Sequence, residues 1–310
     1  ARPRLPVVAA PFFVVGSARS GTTLLRVILN SHPDVAVPPE SRFVTELWRG
    51  KGEVDRDVFL NALHDHRQFQ AWDLPMDAVI AELSDAPRLA YRDAVAGAYV
   101  AYSKAHGKSR WGDKTPRYVL RIPFLADLFP DSRFIHLVRD GRNVALSYAG
   151  MPFGPKTVPK AATIWSQRVM AGVRDGRPLG DARYTEVLYE SFVADTEGHV
   201  RKLCDFLELD FDPAMLDYAD RARDFVFEKA ARYNPHVLEK PRTDVRSWKD
   251  EMPDRQVELF EAVAGDVLSE FGYPRRFENP SASAKMMGRL GTMGLPVGRL
   301  ARGGDKHSTT

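Results

Sequence analysis

The chain has 310 residues, of which 44% are hydrophobic and 27% charged, and its formal net charge is +3. That is material for one large core or two small ones, and no apolar run approaches the roughly 20 residues that cross a bilayer, so a membrane span is not expected. In the segment 281–310, Lys285, Arg289, Arg299, Arg302 and Lys306 stand against Asp305 alone, so the body ahead of it is near neutral, without the broad basic face of a nucleic-acid binder.

The chain opens on Ala1-Arg-Pro-Arg-Leu-Pro, with no apolar signal core before the first strand, and a cytoplasmic protein is expected. Phe12-Phe-Val-Val is a continuous β-branched and aromatic run that suits a strand buried on both faces of a parallel sheet. Gly16-Ser-Ala-Arg-Ser-Gly21-Thr22-Thr23 follows at once, with the spacing of the phosphate loop G-x-x-x-x-G-K-[ST] but Thr22 in the place of lysine. Leu24, Leu25, Val27, Ile28 and Leu29 then keep a helical period until His32-Pro33 stops it. The amides of residues 19–23 at that helix start form an anion nest, and Arg19 supplies a cation whose planar fork suits phosphate oxygens. Phosphate binding therefore survives the missing lysine, while the lysine and metal pairing that cleaves a β–γ bond does not.

Beyond the loop "PPESR", which carries Glu40, the stretch from Asp55 to Gly107 is helix-like and reads as a helical insertion spanning about 46–108. Within and just ahead of it Phe43, Trp48, Phe59, Phe69 and Trp72, joined later by Met151 and Phe153, are candidates to line an apolar pocket, with some of them in the core. "GDKTP" is a strand end and loop carrying Lys114, and Pro116 suits the first turn of a helix reaching Leu128. Arg133–Val138 is a second buried strand. It ends in Arg139-Asp140-Gly141-Arg142 and passes into a helix that Asp140 can cap and that carries Ser147 two turns in. A cation and a hydroxyl there offer a second phosphate site. Tyr184–Leu188 makes a third strand, and helices alternating with such runs give an α/β, P-loop-like parallel sheet whose sites lie at the strands' carboxyl ends.

The remaining chemistry-bearing residues read as structural. His136 sits mid-strand as a core imidazole, His32 belongs to a helix end, and His64 and His66 fall on different helix faces. No grouping of His, Cys, Asp and Glu has zinc spacing, and no metal is expected. The single cysteine, Cys204, excludes an intrachain disulfide and reads as a small buried hydrophobe. The Gly-, Ser- and Met-rich tail from 281 reads as a mobile end or a docking segment.

"GSARSGTTLL" together with "FIHLVRDGRNVALSY" resembles the 5′-phosphosulfate loop and 3′-phosphate motif of sulfotransferases that use 3′-phosphoadenosine 5′-phosphosulfate (PAPS). "RSGTTLLRVILNSHPDVAVPPESR" is similar to the tyrosylprotein sulfotransferase branch and its bacterial relatives. The resemblance implies one sulfotransferase domain over 1–280. It assigns Arg19, Ser20, Gly21, Thr22 and Thr23 to the 5′-phosphosulfate, and Arg139 and Ser147 to the 3′-phosphate. It further sets Tyr189, in "LYESFV", against the nucleotide, and likens Trp248 to the C-terminal tryptophan loop that closes over it; Trp248 also reads as an aromatic anchor on the core. Arg246 and Ser247 depart from the branch, which places a serine two residues before the tryptophan. Glu40 matches the branch's base and Lys114 the lysine that bridges leaving and transferring groups. No histidine follows Lys114-Thr115-Pro116, unlike the phenol and steroid branch. The implied reaction is in-line transfer of a sulfonate group to an acceptor hydroxyl, expected on a small molecule, leaving 3′-phosphoadenosine 5′-phosphate (PAP). Two alternatives stay open: a P-loop kinase or hydrolase using Asp140 as a metal-holding acid, and a non-catalytic nucleotide-binding protein.

Overall fold

β1 (Phe12–Gly16) has no polar side chain, and it runs buried through the middle of a five-stranded parallel sheet. The sheet order is β2 (Val35–Ala36), β5 (Arg110–Lys114), β1, β6 (Arg133–Val138) and β7 (Tyr184–Leu188). Val14 pairs with Lys114 on one side and Gly16 with Leu137 on the other, so the ends of β5, β1 and β6 open at one edge. From β1 the chain goes to the edge strand β2, returns to β5 beside β1, and then crosses to β6 and β7 on the other side. The loop after β1 thus sits at a topological switch point, where α/β sheets hold their ligands. The computed structural model describes residues 10–149, 151–218, 247–295 and 297–299; Arg246 and the tail cations Arg302 and Lys306 lie outside the described residues.

Alternation along β1 splits the core. Phe13 and Val15 face the aromatic insertion, while Phe12 and Val14 face the helix Thr22–Asn30 and the helix Thr196–Leu207. The expected helical insertion comprises helices Arg56–His64, Arg67–Gln70, Met76–Ile80 and Tyr91–Ala105. It also holds an antiparallel pair, β3 (Glu53–Asp55) with β4 (Arg88–Ala90), too short to show a period in sequence. The helix expected from Pro116 to Leu128 is two: a 3-10 turn over Pro116–Leu120 and an α-helix over Ile122–Leu128. Pro123 is the cause, because it has no N–H to give to the preceding turn and disfavours helical backbone just before itself. The tail segment Ala282–Thr292 is a helix capped by Ser281 Oγ, with Met287 packed on the core beneath. Among the described residues no helix is long and apolar enough to cross a membrane.

Candidate active site

The loop after β1 has the backbone its glycines require. Gly21 begins the helix Thr22–Asn30 at φ 91°, and a Cβ there would stand 2.3 Å from the Tyr189 ring. At Gly16 a Cβ would meet the Leu137 carbonyl oxygen at 2.4 Å. Arg19 takes a left-handed conformation, φ 74°, without being glycine. Such strain costs on the order of 1–3 kcal/mol and persists where surrounding contacts over-determine it. Those contacts come from 120 residues or more along the chain: Arg19 Nε donates to Ser147 Oγ at 2.8 Å, and the Arg139 guanidinium donates to the Arg19 carbonyl at 3.3 Å. Arg139 also lies over the Tyr189 ring, 4.4 Å from its centroid.

The two expected phosphate motifs are therefore one cradle. Burial, with Arg139 nearby and Tyr148 in opposition, lowers the proton affinity of Arg19. Ser20 Oγ and Arg139 Nε are buried and have no hydrogen-bond partner among the described residues. A buried donor without an acceptor costs about 1–3 kcal/mol. Two cations and a hydroxyl at a helix start, with no side chain capping that helix and no acidic residue in its first turn, fit an anionic group such as phosphosulfate. Thr22 and Thr23 are its first two residues.

Glu40 and Lys114 meet beside this cradle. Lys114 Nζ donates to Glu40 Oε1 at 3.0 Å, and Arg42 approaches Glu40 Oε2 at 3.8 Å. Burial pushes the Glu40 carboxyl up, but Lys114, Arg42 and Arg26 outweigh it and hold it below the ordinary value. Glu40 is thus an ionised, half-buried carboxylate with a cation on one oxygen. Arg26 was not among the residues expected here, although an arginine inside "LLRVIL" is a sequence signal for a buried cation. It is buried on the helix Thr22–Asn30, donates to the Val37 carbonyl at 2.9 Å, and has its own proton affinity lowered by burial.

Other expected residues fall elsewhere. Trp248 is buried between the guanidinium groups of Arg142, 3.6 Å from its centroid, and Arg276, 5.1 Å away, the arrangement of a core anchor. Its amide donates to Asn143 Oδ1 at 2.9 Å, one turn before Ser147 on the helix Gly141–Tyr148. Ser247 stands directly ahead of the short helix Trp248–Glu251, its amide donating to Glu251. Asp140 caps the helix Gly141–Tyr148 and gives both oxygens to the wholly buried Arg142, at 3.0 and 2.7 Å. His32 is fixed by the Asp210 carbonyl and the Asp34 amide. His136 lies against the Tyr184 hydroxyl at 2.6 Å, with burial lowering its pKa to about 4. Cys204 is buried on Met215. Of the aromatic residues expected to line a pocket, Phe43, Phe59, Phe69 and Trp72 are core, at most 3% exposed, because ring-on-ring packing absorbs them. Trp48 is half-buried on Tyr91 and Phe124, and Phe153 is 44% exposed. Among the described residues no three His, Cys, Asp or Glu side chains are grouped to hold a metal ion.

A parallel sheet with an arginine-lined cradle at its switch point and a carboxylate–lysine pair beside it defines a protein with a built site for an anionic group. The sulfotransferase family profile matches residues 11–213, and the chain belongs to that family and is a sulfotransferase. Nodulation protein NoeE of Sinorhizobium fredii is 27% identical over 300 residues, covering 89% of this chain and 68% of that protein. Protein-tyrosine sulfotransferase A of Caenorhabditis elegans is 23% identical over 288 residues, covering 88% and 70%. Among solved structures, the sulfotransferase domain from the curacin biosynthetic pathway shares the fold with a TM-score of 0.61 at 21% identity, covering 88% of this chain and 99% of that one.

Proposed function

We propose that this sulfotransferase moves a sulfonate group from PAPS to an acceptor hydroxyl by in-line displacement, with Glu40 as the base. The observation that carries the reading is the Lys114–Glu40 pair, 3.0 Å apart, standing beside a cradle with orphaned donors on Ser20 and Arg139. Arg19, Ser20, Gly21, Thr22 and Thr23 would hold the 5′ end of the donor and Arg139 and Ser147 its 3′-phosphate. Tyr189 would lie against the nucleotide, and Trp248 would brace the helix that presents Ser147. When bound, PAPS supplies a sulfonate group whose bond to the bridging phosphate oxygen breaks as the acceptor oxygen attaches. Glu40 takes the acceptor proton. Lys114 and Arg19 stabilise charge on the leaving phosphate and the sulfonate oxygens, the electrostatic contribution that grows toward the transition state. Lys114 drawn off Glu40 leaves a half-buried carboxylate whose burial raises its proton affinity, which makes it a better base at that moment.

We take the acceptor to be a small hydroxylated molecule, phenolic in character, with the exposed Phe153 and the half-buried Trp48 the expected apolar candidates that the core does not absorb. The names of the protein-tyrosine sulfotransferase relatives favour a second reading, a tyrosine hydroxyl on a protein. Sulfonation of acidic tyrosine peptides alone, in a panel of phenols, alcohols and peptides, would select the second. Against a kinase or hydrolase stands Asp140, whose two oxygens are both taken by Arg142. Calorimetry of PAP against ATP with magnesium, joined to a transfer assay with radiolabelled PAPS, tests the reading. It expects PAP to bind and label to pass to an acceptor. Binding of ATP with magnesium and none of PAP would overturn it.

A further inference from the structure

The loop that carries Glu40 is fastened on both sides of that residue. The Pro39 carbonyl accepts Trp72 Nε1 at 2.9 Å, and the Ser41 amide donates to Thr115 Oγ1 at 3.1 Å. Ser41 Oγ lies 2.7 Å from the Tyr118 hydroxyl and 3.4 Å from Thr115 Oγ1. Thr115 follows Lys114 directly, and the Tyr118 amide turns back onto the Thr115 carbonyl at 2.9 Å. The residue after Glu40 is therefore bolted to the residue after Lys114. Ser41, Thr115 and Tyr118 are all buried. Beyond Ser41 the backbone of Arg42 is forced to φ 45°, a strained turn for a side-chain-bearing residue that persists where neighbouring contacts impose it.

We propose that Thr115 is a positioning residue for sulfonate transfer: its hydroxyl holds the Ser41 amide and so fixes the Glu40 carboxylate on the Lys114 ammonium. This rests on the role given to Glu40 above. Only a hydroxyl at this position does the work. Valine has the shape of threonine but would leave the buried Ser41 amide without an acceptor, whereas serine keeps the bond. Looseness of about 1 Å in a reacting geometry costs on the order of 100-fold in rate. The charges facing Glu40 are Lys114 at the end of β5, Arg42 on its own loop, Arg26 on the helix Thr22–Asn30, and Asp113 on β5, whose carboxyl accepts from the Tyr99 hydroxyl at 2.8 Å and also feels the Ser41 and Thr115 hydroxyls. Of these Lys114 acts most strongly, so a carboxylate that slips from Lys114 titrates at higher pH.

The test uses the whole chain with Thr115→Val and Thr115→Ser. Thr115→Val is expected to lower kcat about 10- to 100-fold, with the KM for PAPS and the affinity for PAP within twofold, and to move the acid limb of the pH–rate profile upward. Thr115→Ser is expected to restore both. In parallel, the Glu40 carboxyl is titrated by carbon-13 NMR in the protein alone, where Thr115→Val should raise its midpoint and Thr115→Ser should not. A folded Thr115→Val protein with wild-type kcat and an unmoved Glu40 midpoint overturns the proposal, as does a Thr115→Ser protein as impaired as the valine variant. The NMR titration needs no turnover, so it decides whether Thr115 fixes Glu40 on Lys114 even if the wild type transfers no label from PAPS, a result that would overturn the functional reading and leave that fixing of the carboxylate standing or falling on the titration alone.

Discussion

The sheet edge that carries the anion cradle and the helical insertion are built on different terms. At the ends of β1 and β6 the residues that matter are polar and stay at the strand edge: Arg19 finds Ser147, Arg139 finds the Arg19 carbonyl, and two donors are left over for a ligand. Within and just ahead of the insertion, most residues that looked like pocket walls pack on one another instead, with Phe43 and Trp72 5.3 Å apart and Phe69 and Trp72 5.5 Å apart. A buried polar group announces a partner it has not yet met, because leaving it unpaired is costly. A buried aromatic ring is satisfied by any neighbouring ring.

The comparison can be broken from either side. Removing basicity at Glu40 should have the largest effect, with Glu40→Gln lowering turnover by about 10²–10⁴, the usual contribution of a general base, at unchanged PAP affinity. Phe59→Ala, in the insertion at 1% exposure, should cost about 3–5 kcal/mol of stability in urea unfolding while the folded variant keeps its KM for the acceptor. A changed acceptor KM at normal stability would return this ring to the pocket. Lys114→Ala should cut turnover by about 10²–10³, the scale for losing one preorganised charge-stabilising donor. A raised KM for PAPS with a normal kcat would assign Lys114 to ground-state binding. Arg139→Ala should weaken PAP by about 1.5–3 kcal/mol in calorimetry, the range for a hydrogen bond to a charged group. Adenosine 5′-phosphosulfate, lacking the 3′-phosphate, should hardly distinguish the variant from the wild type.

The same contrast decides what the sequence could say. β1, the loop from Gly16 to Thr23, β6 and its Asp140 cap were all legible, because each is a local pattern whose geometry is set within a few residues. Glu40 and Lys114 were legible as candidates, but their 3.0 Å contact spans 74 positions and no local spacing encodes it. Ser41, Thr115 and Tyr118 were not singled out at all, since a hydroxyl in a loop acquires meaning only from the amide it is brought to meet. Trp248 shows the reverse. Its loop resembles one that closes over the cofactor, and the structure adds that the Arg142 and Arg276 guanidinium groups lie against its ring, contacts no sequence period could reveal.

The central claim is that the Glu40 carboxylate is the base, and one measurement addresses it most directly: kcat/KM of the wild type and Glu40→Gln followed in parallel from pH 3 to 8, with PAP affinity recorded at each pH as the control for folding. Because Lys114 and its neighbouring arginines overcome burial and hold Glu40 below its ordinary value, the wild-type rate should be flat through neutrality and fall only below the ordinary range of a glutamate carboxyl. Glu40→Gln should lie far beneath it and lack that limb. A Glu40→Gln protein that binds PAP and turns over near the wild-type rate, or that is slow but keeps the same acid limb, would contradict the account.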